Sequence, residues 1–203
     1  MEFKYFNQPE SFACFVDEPT ACDTCRKETT CFDATLFFGE SEMEAICPEC
    51  LAAGKLINRK IYTCTGDAAA LKSQLKTANP ALTDAEVSKL SKQMTTTLEK
   101  TNPHLVTWQD WDWPAADGDY CRFIGYGSKP LYEKLAGSAD PKDFFEASVY
   151  YNIKEDTDAD MLWKNDMPEK EVNSYDDSSQ YATLFYVFKS LHSGTIVTIW
   201  DCE

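Results

Sequence analysis

Four cysteines stand in two pairs with the spacing of metal ligands, and they are the residues of this sequence best suited to do chemistry. Cys22 and Cys25 form the first Cys-x-x-Cys pair, and Cys47 and Cys50 form the second after an interval of 21 residues. Each pair makes a tight turn that presents two thiolates to one ion, and two such turns complete a tetrahedron. A closed four-cysteine site leaves no position for water. The spacing therefore predicts one structural zinc ion.

Three other interpretations fit the same four thiols. An iron–sulfur cluster can use identical ligands, so the spacing leaves the metal open. A redox pair of the thioredoxin type needs one Cys-x-x-Cys at a strand-to-helix junction, whereas this chain has two pairs. Buried thiols without a ligand are the third alternative. The remaining cysteines have mostly apolar neighbours and are expected to be buried thiols: Cys14, Cys31, Cys64, Cys121 and Cys202.

Residues 17–60 form the predicted metal-binding unit, and its composition suggests the elements that hold the cysteines. β-Branched and aromatic residues over 31–39 predict one strand that ends at Gly39. The segment 50–56 predicts a short helix that Gly54 terminates. Ahead of the unit, residues 1–15 alternate aromatic with polar residues. This alternation predicts an extended arm packed on the rest of the chain.

Residues 67–101 differ in composition from their surroundings and predict a helical insert. A first helix over 68–76 is followed by a break at Asn79 and Pro80. Thr83 and Glu86 have the spacing of a capping box at the start of a second helix, predicted over 84–99. Its apolar residues recur at helical spacing and predict a core face: Val87, Leu90, Met94 and Leu98.

The C-terminal part combines short helices with a hairpin. Proline in the first turn predicts helices over 130–136 and 141–147. Residues 181–189 and 195–200 predict an antiparallel hairpin with its turn at 192–194. The whole chain, 1–203, is thus predicted to be a single α+β domain. A small zinc-ribbon or treble-clef-like unit packs with an antiparallel sheet and peripheral helices, and residues 102–203 form the α+β part.

Acidic residues dominate the charge of the chain. Lys and Arg total 19 against 34 for Asp and Glu, a formal net charge of −15 at pH 7. This balance disfavours nucleic acid and anionic membranes as partners, since phosphate binding needs clustered basic groups. It favours a basic protein partner, because opposite fields speed encounter, although acidity also serves solubility alone.

The cellular location is predicted from the N-terminal residues, the apolar runs and the cysteine motifs. Residues 1–12 lack the cationic and apolar stretches of a secretory signal peptide. Apolar runs such as 184–188 are far too short to span a bilayer. Paired Cys-x-x-Cys motifs suit a reducing compartment, where they bind metal and do not form disulfides. These features predict a cytoplasmic protein.

Two stretches are candidates for contact with a protein partner. Interfaces favour aromatic residues, which points to Trp111 and Trp113, although large aromatic side chains are more often core residues. The second stretch is acidic and would suit a basic partner. Its candidate residues are Glu155, Asp156, Asp158 and Asp160.

Several phrases of the sequence together resemble the CbrC family, bacterial cytoplasmic proteins named for a colicin-tolerance protein. The phrases are AICPECLAAGKL at 45–56, WQ at 108–109, GDYCRFIGY at 118–126, LFYVFKSLHSG at 184–194 and WD at 200–201. The resemblance covers nearly the whole chain, and residues 67–101 are its least similar part. It implies a link to survival of a protein toxin and does not imply a reaction.

The sequence departs from the family pattern at further metal-ligand positions. Members of the family carry a His-Cys shortly before the position of Cys121 and a Cys-x-x-Cys near the C-terminus. In their place this sequence has Ala116, Asp117, Ser190 and Ser193. A second zinc site would have to use Asp117, Cys121 and His192. Because serine is a poor zinc ligand, we expect the C-terminal hairpin to pack through its aromatic residues instead.

No catalytic site is expected from the sequence. His104 and His192 are its only histidines, and Ser190 and Ser193 beside His192 lack a third group that would orient a nucleophile. We therefore expect a non-enzymatic toxin-tolerance or immunity-type protein that binds a basic, nuclease-like bacterial toxin. A regulatory or adaptor protein for an endogenous partner is one alternative. A metal-dependent hydrolase built on the second zinc site is the other.

Overall fold

A computed structural model describes residues 2–40, 42–155 and 157–203 of the chain. The helices within those residues are α1 (Pro9–Phe12), α2 (Pro48–Ala52), α3 (Ala68–Ala78), α4 (Asp84–Thr101), α5 (Lys129–Ala136), α6 (Pro141–Ser148), α7 (Ala159–Asn165) and α8 (Tyr175–Ser178). The strands are β1 (Thr20–Ala21), β2 (Glu28–Thr29), β3 (Phe32–Asp33), β4 (Phe38–Gly39), β5 (Ala45–Ile46), β6 (Ile61–Tyr62), β7 (Ala115–Ala116), β8 (Asp119–Tyr120), β9 (Arg122–Tyr126), β10 (Thr183–Lys189) and β11 (Ile196–Cys202). These elements confirm the predicted α+β class.

An antiparallel sheet of order β11–β10–β9 forms the centre of the fold. Strands β10 and β11 form the predicted hairpin, with Tyr186 opposite Ile199 in its middle. Side chains of β10 alternate between two buried clusters, as the two-residue period of a strand requires. Tyr186 and Phe188 enter the larger cluster, whereas Phe185 and Val187 enter the smaller one. Both faces of the sheet are therefore covered.

The two clusters differ in the elements that build them. Tyr132 from α5, Phe145 from α6 and Leu162 from α7 pack in the smaller cluster. The N-terminal arm packs in the larger one through Phe3, Tyr5, Phe6 and Phe12. The arm therefore packs as predicted, but it is not extended throughout. Pro9, which suits the first turn of a helix, begins α1 within it.

Helix α4 begins with the predicted capping box of Thr83 and Glu86, in which both reciprocal hydrogen bonds are present. Its core face is confirmed at Val87 and Leu98, and Met94 is half-buried against the core. The prediction is wrong at Leu90, which is 37% exposed. Ser91 takes the buried position instead. Ser91 is four positions after the buried Val87, so both side chains lie on the same face of the helix. Helical geometry therefore decides which positions are buried, even where the residue is polar.

Two predictions within the cysteine unit need correction. The single strand over 31–39 is in fact β3 and β4, separated by a 3₁₀ turn at Ala34–Leu36. The side chain of Asp33 causes the break, because its Oδ1 accepts a hydrogen bond from the N–H of Thr35 at 3.0 Å. The helix over 50–56 is α2, which begins earlier, with Pro48 in its first turn, and ends before Gly54 (φ +70°).

The larger buried cluster contains residues of the cysteine unit, the helical insert and the C-terminal part. The division of one domain into those segments (17–60, 67–101 and 102–203) stays a prediction. Among the residues that the structure describes, no helix is both long enough and apolar enough to cross a membrane.

Candidate metal centre

The first cysteine pair lies in a tight turn that closes the β1–β2 hairpin. The N–H of Cys22 donates to the carbonyl oxygen of Lys27 at 3.0 Å, and the N–H of Arg26 donates to that of Cys22 at 2.8 Å. Arg26 has φ +63°, a left-handed conformation that reverses the chain directly after Cys25. This turn brings both thiols of the pair into one cluster with the second pair.

The second cysteine pair lies at the N-terminus of α2. Cys47 is the residue that precedes the helix, and Cys50 lies in its first turn. Asp23 ties the two pairs together, because its Oδ2 accepts hydrogen bonds from the N–H groups of Glu44 at 2.8 Å and Ala45 at 3.0 Å. A cysteine turn, a pair of short strands (β3 and β5) and a helix in this order make the unit treble-clef-like.

The four sulfur atoms form a compact group. They all lie within 4.8 Å of one another, and the Sγ atoms of Cys25 and Cys47 are 3.8 Å apart. A tetrahedral site with Zn–S bonds of about 2.3 Å has S–S edges of about 3.8 Å. Three of the cysteines are buried and Cys25 is exposed. The group can therefore hold one metal ion and leave that ion no open coordination position.

The pKa values of the metal-free thiols indicate how strongly burial opposes their deprotonation, a cost that a bound cation would offset. Burial raises the pKa of Cys47, and it raises the pKa of Cys50 to about 11. Burial also opposes ionisation of Cys22, but hydrogen bonds from the N–H groups of Cys47, Cys25 and Thr24 outweigh it and lower that pKa to about 6. The fold thus favours one thiolate, and a cation is needed to keep its neighbours deprotonated.

The other five cysteines lie outside this group. Cys31 and Cys121 are buried, as predicted, whereas three are only half-buried: Cys14, Cys64 and Cys202. Burial raises the pKa of Cys31 to about 11 and that of Cys121 to about 12, so both stay protonated at neutral pH. Within residues 2–40, 42–155 and 157–203, the quartet is the one group of at least three Cys, His, Asp or Glu ligands that could hold a metal.

The residues considered for a second zinc site do not gather into a ligand group in the described part of the chain. Asp117 Oδ2 instead accepts hydrogen bonds from the hydroxyl of Ser190 at 2.5 Å and from the hydroxyl of Ser193. Cys121 is fully buried, while His192 is exposed. Asp117 therefore joins the β7–β8 turn to the β10–β11 turn through hydrogen bonds.

The two tryptophans predicted to contact a partner differ in burial. Trp113 is 1% exposed, and its indole N–H donates to the carbonyl oxygen of Cys121 at 2.8 Å. This burial removes Trp113 from the candidate partner surface and makes it a core residue. Trp111 is half-buried, with its ring 5.0 Å from that of Tyr186. Part of Trp111 thus remains accessible to a partner.

The acidic candidates Glu155, Asp158 and Asp160 are exposed, and Asp156 lies outside the described residues. Asp158 caps the N-terminus of α7 through its side chain. Asp160 forms an ion pair with Lys142 at 2.6 Å. Two of the three described carboxylates therefore have a local structural role, and their contact with a partner stays a prediction.

His104 is buried and packs within the fold. Its Nδ1 lies 2.8 Å from the carbonyl oxygen of Thr63, and its ring centroid lies 5.4 Å from that of Phe38. Burial lowers the pKa of His104, which therefore stays neutral at pH 7.

Three buried carboxylates (Asp67, Asp119 and Asp201) and a cavity were not predicted from the sequence. Asp67 accepts hydrogen bonds from the hydroxyls of Tyr150 at 3.1 Å and Tyr151 at 2.8 Å. Asp201 is 1% exposed and lies on β11. Asp67 has one local signal, its place directly before an alanine-rich helix. The cavity, of about 510 Å³, is lined by residues from separate segments of the chain, and no local pattern marks it.

The relationship of the chain to other proteins extends over nearly its whole length. No solved structure matches it. A family model matches residues 1–202. The chain belongs to that family, which is described as Uncharacterised protein family (UPF0167).

Proposed function

We propose that Cys22, Cys25, Cys47 and Cys50 bind one zinc ion, which stabilises the fold and takes no part in a reaction. The closed group of four thiols within 4.8 Å supports this assignment. Zinc accepts four thiolates in a tetrahedron and imposes no competing geometry. An iron–sulfur cluster would use the same ligands, and elemental analysis separates the two.

We propose further that the protein is a non-enzymatic toxin-tolerance or immunity-type protein, which binds a basic, nuclease-like bacterial toxin and neutralises it. The observation that carries this proposal is the excess of 34 acidic over 19 basic residues. An acidic surface imitates the anionic substrate of a nuclease and speeds encounter with a cationic domain. The resemblance to the CbrC family supports the link to toxins, and CbrC proteins fall in the family to which this chain belongs.

The proposed location is the cytoplasm, where the toxin would act. All nine cysteines are free thiols, which suits a reducing compartment. A regulatory or adaptor role would use the same acidic surface with an endogenous partner. A hydrolase built on Asp117, Cys121 and His192 has less support, because Asp117 is held by two serine hydroxyls and Cys121 is buried.

The test uses cationic toxin domains encoded beside the gene. Calorimetry should detect a one-to-one complex that weakens as salt rises, since screening reduces attraction between exposed charges. Glu155→Gln combined with Asp160→Asn should weaken that complex. Glu18→Gln combined with Glu133→Gln is the matched control, because it removes two charges at other exposed positions.

Cells that lack the gene should become sensitive to the same toxin. Absence of a complex, together with unchanged sensitivity of the deletion strain, would overturn the proposal. Isolation of a stoichiometric endogenous partner in place of a toxin would favour the adaptor role.

A further inference from the structure

The cavity of about 510 Å³ is lined by Phe38 of the cysteine unit and by residues from three later segments of the chain. Phe38 and Tyr62, on the paired strands β4 and β6, form one wall. The rest of the lining comes from residues 63–65, from the segment between 105 and 113, and from Asn152 and Ile153. Its volume is that of a ligand pocket and well above that of a packing defect.

Aromatic rings make up much of the wall. The centroids of Phe38 and Tyr62 lie 5.5 Å apart with their planes inclined by 24°, so the two rings are stacked. Phe38 is 37% exposed although it is large and apolar, and Trp111 is half-buried on the facing segment. Aromatic faces carry negative electrostatic potential and attract cations.

Two carboxylates without a counter-charge lie in the same lining. Asp110 and Asp112 are exposed, and neither has an ion pair or hydrogen bond to any residue that the structure describes. Burial raises the pKa of Asp112, and the nearby negative charge of Asp67 raises it further. The Lys100 ammonium lies 5.7 Å from the ring centroid of Tyr62 and donates to the carbonyl oxygens of Arg59 at 2.9 Å and Ile61 at 2.5 Å. It forms no ion pair with Asp110 or Asp112 among the residues described.

We propose that this cavity binds an arginine side chain of the partner protein, with the guanidinium against the rings of Phe38, Tyr62 and Trp111 and paired with Asp110 and Asp112. The inference rests on the proposed binding of a basic protein and names the contact that recognises it. Guanidinium is planar, stacks on aromatic faces and donates to carboxylates in a fork, whereas ammonium does not. The carboxylates here belong to no three-ligand group that would hold a bare metal ion, among the residues described.

The experiment titrates the ¹⁵N-labelled full-length chain with acetyl-hexaarginine amide. The indole N–H of Trp111, one of five tryptophans, reports on the cavity directly. We expect saturable shifts at Trp111 and at the backbone of Asp110 and Asp112. The affinity for acetyl-hexalysine amide should be lower than that for the hexaarginine peptide by a factor of about three or more. Acetyl-hexaglutamine amide should produce no saturable shift.

Variants then assign the contact. Asp110→Asn combined with Asp112→Asn should weaken hexaarginine binding about tenfold, whereas the control pair Glu18→Gln and Glu133→Gln should change it less than twofold. Phe38→Leu should weaken it about threefold through loss of an aromatic face. Because all these side chains are exposed, the variants should keep a folded spectrum.

Hexaarginine shifts that persist in the Asp110/Asp112 variant, shifts that avoid Trp111, or equal binding of hexalysine would each overturn the assignment. A toxin that binds the Asp110/Asp112 variant as tightly as the wild type overturns this contact and leaves the proposed function standing. Hexaarginine binding at Trp111, with no toxin complex and with unchanged toxin sensitivity of the deletion strain, would overturn the proposed function and leave this contact standing.

Discussion

The indole N–H of Trp111 donates a hydrogen bond to Oδ2 of Asp201 at 3.1 Å. The same oxygen accepts from the backbone N–H groups of Trp108 at 3.0 Å and Gln109 at 3.2 Å, and Oδ1 accepts from the Tyr186 hydroxyl at 3.1 Å. Burial raises the pKa of Asp201 although all four donors lower it. One carboxylate on the last strand thus fixes the segment that lines the cavity.

Asp201→Ala should lower the free energy of unfolding by roughly 2–4 kcal/mol, because it leaves several buried donors without a partner. Urea unfolding followed by circular dichroism measures the change. Asp110→Ala, at an exposed carboxylate, should cost less than about 0.5 kcal/mol. Equal effects at the two positions would show that Asp201 does not organise this segment.

Asp117→Asn should produce a stability difference that depends on pH. The hydroxyls of Ser190 and Ser193 hold the pKa of Asp117 below its ordinary value. A lowered folded pKa means that the stabilisation is present above the unfolded pKa of about 3.9 and is lost as pH falls through the folded pKa. Asparagine keeps the left-handed turn, since it tolerates φ +56°.

The wild type should therefore exceed the Asp117→Asn variant by less than about 1 kcal/mol at pH 7, because the site is exposed. Urea unfolding at pH 7 and near pH 3 checks this, and the difference should shrink at the lower pH. A difference that grows on acidification would contradict the hydrogen-bonded role of the carboxylate.

Gly66→Ala should be strongly destabilising because its backbone touches a ring. A Cβ at this position would lie 2.5 Å from the hydroxyl oxygen of Tyr120, whose own bond to Thr95 Oγ1 at 2.8 Å holds the ring in place. We expect a loss of about 2–3 kcal/mol in thermal or urea unfolding. Gly137→Ala, where nothing lies within 4 Å but φ is +62°, should cost roughly 1 kcal/mol from the backbone alone. A Gly66 variant no less stable than the Gly137 variant would refute the close contact.

The elements of the fold that depend on residues close together in the sequence were predictable. Thr83 and Glu86 mark the start of α4 because both hydrogen bonds of a capping box are local. The β10–β11 hairpin followed from two runs of β-branched and aromatic residues joined by a turn that contains glycine. The strand over 31–39 failed because a side-chain hydrogen bond from Asp33 competes with the strand, and composition does not report such a bond.

The candidate site was predictable in its cysteines and not in its surroundings. Sequence spacing identifies the two Cys-x-x-Cys pairs, because each ligand turn is local, whereas the contacts of Asp23 with Glu44 and Ala45 bring the pairs together. Asp201 and the cavity depend on contacts between segments about 90 residues apart, such as the bond of Trp111 to Asp201. Trp113 was ambiguous for the same reason, since only the tertiary fold decides whether a tryptophan lies in the core or at an interface.

Elemental analysis of the purified chain counts the metal ions that the four cysteines bind. The wild type and a Cys202→Ser control should each contain one zinc per chain, whereas Cys47→Ser combined with Cys50→Ser should contain almost none and should unfold at a lower temperature. Iron in place of zinc, a zinc ion that survives the double substitution, or a metal-free wild type of undiminished thermal stability would contradict the account.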